Sequence, residues 1–283
     1  METLNTLTLD KAIELVPAIG ATESDPTVSD RYQFVSTREV LERVQEYGWR
    51  ITNATSQGPS PYAQHRITLI HEDDMIVDHK SEGIPRIEMF NSHNRTKRLM
   101  FAIGYFRFAC SNGLIIATGP TETIRTKHRF SDDRLATIME QVSQISARFP
   151  QINSKINVLK SRELSEEEQL DFVKFAVKGR FLYRAEVPKR FQDQDRLSEK
   201  LLAPRRAMDE GNTTWQVYNR VQENLIKGVD GFSRPINGYT DSIRVNQLLW
   251  KGAETTLEFE KDKLRTALTG LLVKDGKKGK ISA

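Results

Sequence analysis

Apolar and polar residues alternate in short stretches through the first third of the chain. In residues 65–71, Ile67 and Leu69 fall on one side and Arg66 and Thr68 on the other, the period of a half-buried strand. Residues 49–56 predict a strand, and in residues 85–91 Ile87, Met89 and Asn91 share one face while Glu88 and Phe90 share the other. Residues 99–108 are apolar on both parities, as a strand covered on both faces would be; their aromatic content and Gly104 favour strand over buried helix. Residues 32–35 also predict a short strand. Ser111-Asn112-Gly113 signals a tight turn, with residues 114–118 returning as the second arm of a hairpin.

The period then lengthens. Ser36 with Glu39 predicts a capping box, followed by Val40, Leu41, Val44 and Tyr47 on one helical face and a stop at Gly48. Residues 8–19 are weakly amphipathic and interrupted by Pro17. Beyond residue 130, Ser131 is a candidate N-cap for a helix carrying Leu135, Ile138, Val142, Ile145 and Phe149. Further helices are expected over 154–160, after the Ser165/Glu168 capping box and ending near Gly179, over 212–226, and over 241–271. Residues 183–208 are basic and polar without clear period, 228–238 form a Gly-rich loop, and 274–280 read as a mobile basic tail.

This order predicts an α+β protein: an antiparallel sheet with hairpins in the N-terminal half, packed by helices and followed by a mainly helical C-terminal half. The expected divisions are an N-terminal segment (1–30), a β-rich core (31–130), a helical region packed on or next to it (131–272) and a flexible tail (273–283).

Composition adds a location. One cysteine, Cys110, lies in apolar surroundings and points to a buried thiol in a reducing compartment. Without a basic, continuously apolar leader or a membrane-length apolar run, the expectation is a soluble cytoplasmic protein with no membrane partner. The net charge of +4 conceals an asymmetry: residues 1–83 hold 7 basic and 14 acidic residues, 84–134 hold 9 and 4, and 135–283 hold 26 and 20. That shift is as consistent with a polyanion-facing surface as with ordinary solvated charge.

Catalytic chemistry finds little footing. Five histidines without zinc spacing and one cysteine give no metal cluster, and His71, Asp73, Asp74, Asp78 and His79 read as an acidic surface loop. Cys110 with His93 reads as a structural thiol rather than a nucleophile pair, and no phosphate loop precedes a helix. Neither metal, cofactor nor enzymatic activity is expected. Asn91-Ser92-His93-Asn94 carries turn chemistry, and Arg95, Lys97 and Arg98 just beyond must face water or a ligand. Arg107, between two phenylalanines, either pairs internally, with Glu88, or emerges at a groove. If extended, Arg125, Lys127 and Arg129 share one face, a strip suited to a phosphate backbone.

Several segments resemble a known family. They are Tyr32-Gln33-Phe34-Val35-Ser36-Thr37, residues 64–69, Ile87-Glu88-Met89-Phe90-Asn91-Ser92-His93, residues 106–114, and, further on, 165–169, 214–228 and 244–250. Together, over roughly residues 30–255, they resemble the domain of unknown function 932 family of phages and plasmids. That family continues its Asn-Ser-His with Asp-Gly, where this chain has Asn94-Arg95. The resemblance implies a mobile-element origin without established catalytic residues, and its strands-then-helices order looks like the phage single-strand annealing proteins of the Red-beta, Erf and RecT type. The function implied is a homo-oligomeric ring or filament that binds and anneals single-stranded DNA. Arg95, Lys97, Arg98, Arg125, Lys127 and Arg129 would hold phosphates, Tyr105 or Tyr62 would stack a base, and Arg107, Asn91 and His93 would organise the groove. A host or phage recombination or replication protein is a further expected partner. The alternative is a phage module that inhibits a host defence protein through exposed Phe181, Tyr183 and Phe191.

Overall fold

The computed structural model describes residues 2–29, 32–77, 83–107, 110–116 and 134–281. The chain divides into two compact units, 1–150 and 151–283.

In the first unit a short strand β1 (Glu2–Thr3) precedes helix α1 (Leu9–Leu15), which Thr8 caps by accepting from the Lys11 amide. A 3-10 turn follows at Pro17–Gly20. Ser36 caps α2 (Thr37–Glu46) through the Glu39 amide, and Gly48 beyond its end takes φ +83°, a conformation glycine adopts without strain. Then come β2 (Trp49–Ser56), β3 (His65–His71), the short β4 (Ile76–Val77), β5 (Gly83–Asn91), β6 (Met100–Arg107) and β7 (Cys110–Ile116). Strands β2, β3, β5, β6 and β7 make one antiparallel sheet in that order, while β1 pairs with β4. Helix α3 (Arg134–Ser146) packs on α2, β5 and β6.

The sheet's two faces follow from its register. Ile67 faces Met89, which faces Phe101; Leu69 faces Ile87, which faces Ile103, and all six are fully buried. The opposite parity carries buried charge. Glu88, with no exposure, lies 2.8 Å from Arg66 Nε and 2.5 Å from Arg86 Nε, and its Oε2 also accepts from Thr68 Oγ1. Gly104 stands opposite Arg86, and a Cβ there would come within 3.0 Å of the Arg86 side chain, so glycine makes room for the guanidinium. Burial acts to raise the Glu88 carboxyl, but Arg66 and Arg86 together hold it below the ordinary carboxylate value.

The second unit is helical. The boundary falls inside α4 (Phe149–Ser161), and α5 (Glu166–Arg180), α6 (Gln194–Leu201), α7 (Thr214–Lys227), α8 (Tyr239–Glu258) and α9 (Lys261–Ile281) follow. Helix α5 packs on α6, α7, α8 and α9. Capping boxes open α5 at Ser165/Glu168 and α7 at Thr213/Gln216. Glu168 also accepts from the Lys261 amide at 3.1 Å, so a carboxylate of α5 caps the start of α9. Where α5 and α8 meet, the packing is reciprocal: a Cβ on Gly179 would run into Leu248, and one on Gly252 into the ring of Phe175. Gly252→Ala is therefore expected to destabilise the second unit by about 1–3 kcal/mol despite alanine's better helix propensity. Gly270→Ala in α9, with nothing within 4 Å, is expected to stabilise by about 0.5–1 kcal/mol. Thermal unfolding of the two variants should shift in opposite directions.

The α+β class and the strand-then-helix order are as the sequence predicts; several details differ. Residues 32–36 are irregular, not a strand. Ser111–Gly113 lies within β7 instead of forming the turn. Helix α3 falls within the first unit, which runs to residue 150, and α1 packs on α2 and β2. The expected 241–271 helix is two helices broken at Phe259, which is extended. The expected tail continues α9 through Lys280.

Candidate nucleic-acid interface

The turn after β5 is built on a buried polar cluster. Asn91 Nδ2 donates to the Val35 carbonyl (3.2 Å) and to Thr37 Oγ1 (2.9 Å), and Thr37 Oγ1 lies 2.8 Å from His65 Nε2. His65 Nδ1 is 2.9 Å from the Ala63 carbonyl. A carbonyl only accepts, so Nδ1 carries the proton, Nε2 accepts from Thr37, and the Thr37 oxygen is left to accept from Asn91. By the same logic His93 donates from Nε2 to the Ala18 carbonyl at 2.9 Å. Thr37, His65 and His93 have no exposure, and Asn91 is buried. Burial pushes His65 down to about 4 and, helped by the neighbouring His65, pushes His93 down to about 4, so both rings are neutral.

This base holds residues 92–98 rigidly. Ser92 Oγ accepts from the Lys97 amide (2.8 Å) and donates to the Lys97 carbonyl (2.9 Å), closing the turn across its neck. Asn94 Oδ1 accepts from the Thr96 amide and hydroxyl, and Tyr32 donates to the Ser92 carbonyl. At the tip Arg95 is exposed with φ +66°, the left-handed region. Arg98 is also exposed, and Lys97 is half-buried with its Nζ 5.9 Å from the Phe90 ring centre.

The other expected residues fare differently. Tyr105 is buried, its hydroxyl donating to the Gly83 carbonyl at 3.0 Å, so its ring is not a stacking face. Tyr62, half-buried, has its carbonyl bonded to the His93 amide beside the turn. Asn91 and His93 organise the interior of the turn's base and do not line a groove. Arg107 ends β6, pairing with Gly83 and Cys110, and the cations described on Glu88 are Arg66 and Arg86. Arg125, Lys127 and Arg129 lie outside the described residues. Of the three aromatics expected at a host-protein surface, Phe181 and Phe191 are buried against each other and only Tyr183 is exposed. Among the described residues, no group of three His, Cys, Asp or Glu side chains is placed to hold a metal, and no helix is long and apolar enough to cross a membrane.

The family profile described as "Domain of unknown function (DUF932)" matches residues 26–250. The chain belongs to the DUF932 family. Two Escherichia coli (strain K12) proteins, UPF0380 protein YafZ and UPF0380 protein YfjQ, are each similar to it: 27% identical over 266 residues, covering 89% of this chain and 92% of theirs. No solved structure matches significantly. The DUF932 match spans Thr37, His65, Asn91 and His93 with the turn they support, and both capping boxes, and it ends within α8, two residues before Gly252.

The second unit of this chain also holds a basic, aromatic cluster absent from the expectations above. Arg180, Arg184, Arg190 and Arg196 each stand over a phenylalanine ring, Arg180 over both Phe181 and Phe191, at 5.3–5.9 Å from the ring centres. The signal was the interleaving of Arg180, Arg184 and Arg190 with Phe181, Tyr183 and Phe191 in a stretch without clear period.

Proposed function

We propose that this DUF932 protein binds single-stranded DNA without catalysing a reaction on it, with residues 92–98 as a phosphate-contacting turn. The observation that carries this reading is Arg95. A left-handed backbone costs a non-glycine residue about 1–2 kcal/mol, and this position corresponds to the glycine that the resembling family places there. A long cation held in that conformation, exposed at the tip of a rigid turn and beside exposed Arg98, is strain that a phosphate contact explains. The excess of basic residues in 84–134 supports the same ligand. Pairing of complementary strands by an oligomer, in DNA recombination, is the biological role we attach to this binding.

Fluorescence anisotropy with a labelled single strand, titrated at several salt concentrations, tests it. Arg95→Ala with Arg98→Ala is expected to weaken binding and to flatten the log–log salt slope by about 0.7 for each phosphate no longer held. An unchanged slope removes the turn from the interface. Arg95→Gly separates the two roles of the residue: weaker binding, with stability unchanged or higher by up to about 1 kcal/mol as relief of the left-handed residue offsets glycine's entropy.

A further inference from the structure

A cavity of about 320 Å³ lies in the second unit between the end of α5, residues 181–184 and the start of α8, lined by Arg180, Arg184, Arg244, Tyr183, Asp241 and residues 235–238. Its volume is at the lower end of the about 300–1,000 Å³ typical of small-ligand sites. Three guanidiniums face one carboxylate there, and that carboxylate, Asp241, is 3.6 Å from Arg244.

The arginines are positioned by the backbone. Arg180 donates from Nη1 to the Leu225 carbonyl (2.7 Å) and from Nη2 to the Arg234 carbonyl (2.6 Å). Arg244 donates to the carbonyls of Gly179 (2.7 Å) and Arg180 (3.3 Å), and its Nε is buried without an acceptor. Carbonyl bonds fix the direction of a guanidinium while leaving its full charge in place. Arg184 is exposed, rests on Phe181 and makes no ion pair among the described residues. Two further observations point to an anion. Gly238 caps α8 with no side-chain hydrogen bond, and the first turn of that 20-residue helix, which carries Asp241, forms part of the cavity wall. Burial first, and then the neighbouring charges of Arg190 and Arg184, push Arg180 down to about 10 against the opposing pull of Asp241, and a bound anion would relieve the like-charge part of that shift.

We propose that this cavity is a nucleotide-phosphate site, in which Arg184, Arg180 and Arg244 hold the phosphate and the exposed ring of Tyr183 stacks on the attached base. Arg244 lies 5.0 Å from the Tyr183 ring centre, holding that ring at the cavity's edge. The phosphate comes either from a free nucleotide or from the 5′ end of a strand. The site shares no residue with the turn at 92–98, and the two readings stand or fall separately.

Calorimetric titration of the full chain at low salt with dTMP, thymidine and inorganic phosphate tests it. Expected are binding of dTMP, weaker binding of phosphate and none of thymidine. Arg184→Ala should weaken dTMP at least tenfold, Arg184→Lys should retain part of the affinity, and Arg95→Ala with Arg98→Ala should leave it unchanged. Arg184 is exposed, so its loss leaves the fold intact. Tyr183→Ala should bring dTMP down to the affinity of phosphate. Comparing oligo(dT) with and without a 5′-phosphate identifies the source: a gain from the phosphate that Arg184→Ala abolishes assigns strand ends, and dTMP binding without that gain assigns the free nucleotide. Absence of binding by dTMP and phosphate at millimolar concentration, or dTMP binding unaffected by Arg184→Ala, overturns the proposal.

Discussion

Glu88→Gln is expected to destabilise the first unit by about 3–5 kcal/mol, the largest single-residue effect outside the hydrophobic core. Removing one partner of a buried ion pair leaves charge in a low-dielectric interior, and here the amide would stand between two guanidiniums. Arg66 retains some access to water, its side chain being 18% exposed, which places the expectation towards 3 kcal/mol. Arg86 is 5% exposed and has no such relief. Adding Arg86→Met to Glu88→Gln should recover part of the loss, because the charge that lost its carboxylate goes too, whereas a defect in sheet packing would not be repaired that way. NMR intensities of β5 and β6 amides across a urea series report the first unit alone. A change in midpoint for Glu88→Gln below about 1 kcal/mol would mean that the triad is hydrated and contributes as little as a surface pair.

The second large effect is acid sensitivity. His65 and His93 have folded values of about 4 against an ordinary 6.5. A depressed histidine binds its proton more readily unfolded than folded. Above pH 6.5 neither state holds the proton and stability does not depend on these groups. Between pH 6.5 and 4 the unfolded chain takes up protons that the folded one refuses, and stability falls by about 1.4 kcal/mol per pH unit per histidine. Over that window the loss is about 3 kcal/mol for each ring. Glu88, whose carboxyl is held low, adds its own loss only below its ordinary value of 4.5, so the upper part of the window belongs to the histidines. Urea midpoints of the β3 and β5 amides at pH 7, 6 and 5 should fall steadily, and His93→Gln should halve the slope. A midpoint constant from pH 7 to 5 would show the rings to be solvated.

Much of this structure was legible because local and tertiary demands agree. Residues 65–71 alternate and fold as a strand over that span, and Ser165 with Glu168 predicts and makes a capping box. Two of the failures share one cause: long-range bonds that local sequence does not show. Residues 32–35 are apolar enough for a strand, yet the Tyr32 hydroxyl and Val35 carbonyl are used by Ser92 and Asn91, sixty and fifty-six positions away, and the segment stays irregular. The break before α9 carries neither glycine nor proline; its cap is Glu168, ninety-three residues earlier. Helix α6 has Asp193 as its cap but only Leu197 and Leu201 to bury, too few to stand out as a period. In the candidate site, the exposed cations of the turn follow from their charge, whereas the burial of Tyr105 depends on a register opposite Pro85 that only the paired sheet reveals.

The interlock of α5 and α8 bears on how such a chain can change over time. Phe175 and Gly179 stand four residues apart on one helix, and Leu248 and Gly252 four apart on the other, each large residue seated where its opposite has no side chain. Neither glycine can grow unless the facing Phe175 or Leu248 shrinks. A route from this arrangement to another of equal volume therefore passes through either a clash or a void unless both members of a pair change together. The two pairs, 175 with 252 and 179 with 248, should drift among relatives as linked units, and a double-mutant cycle across either should show strong coupling.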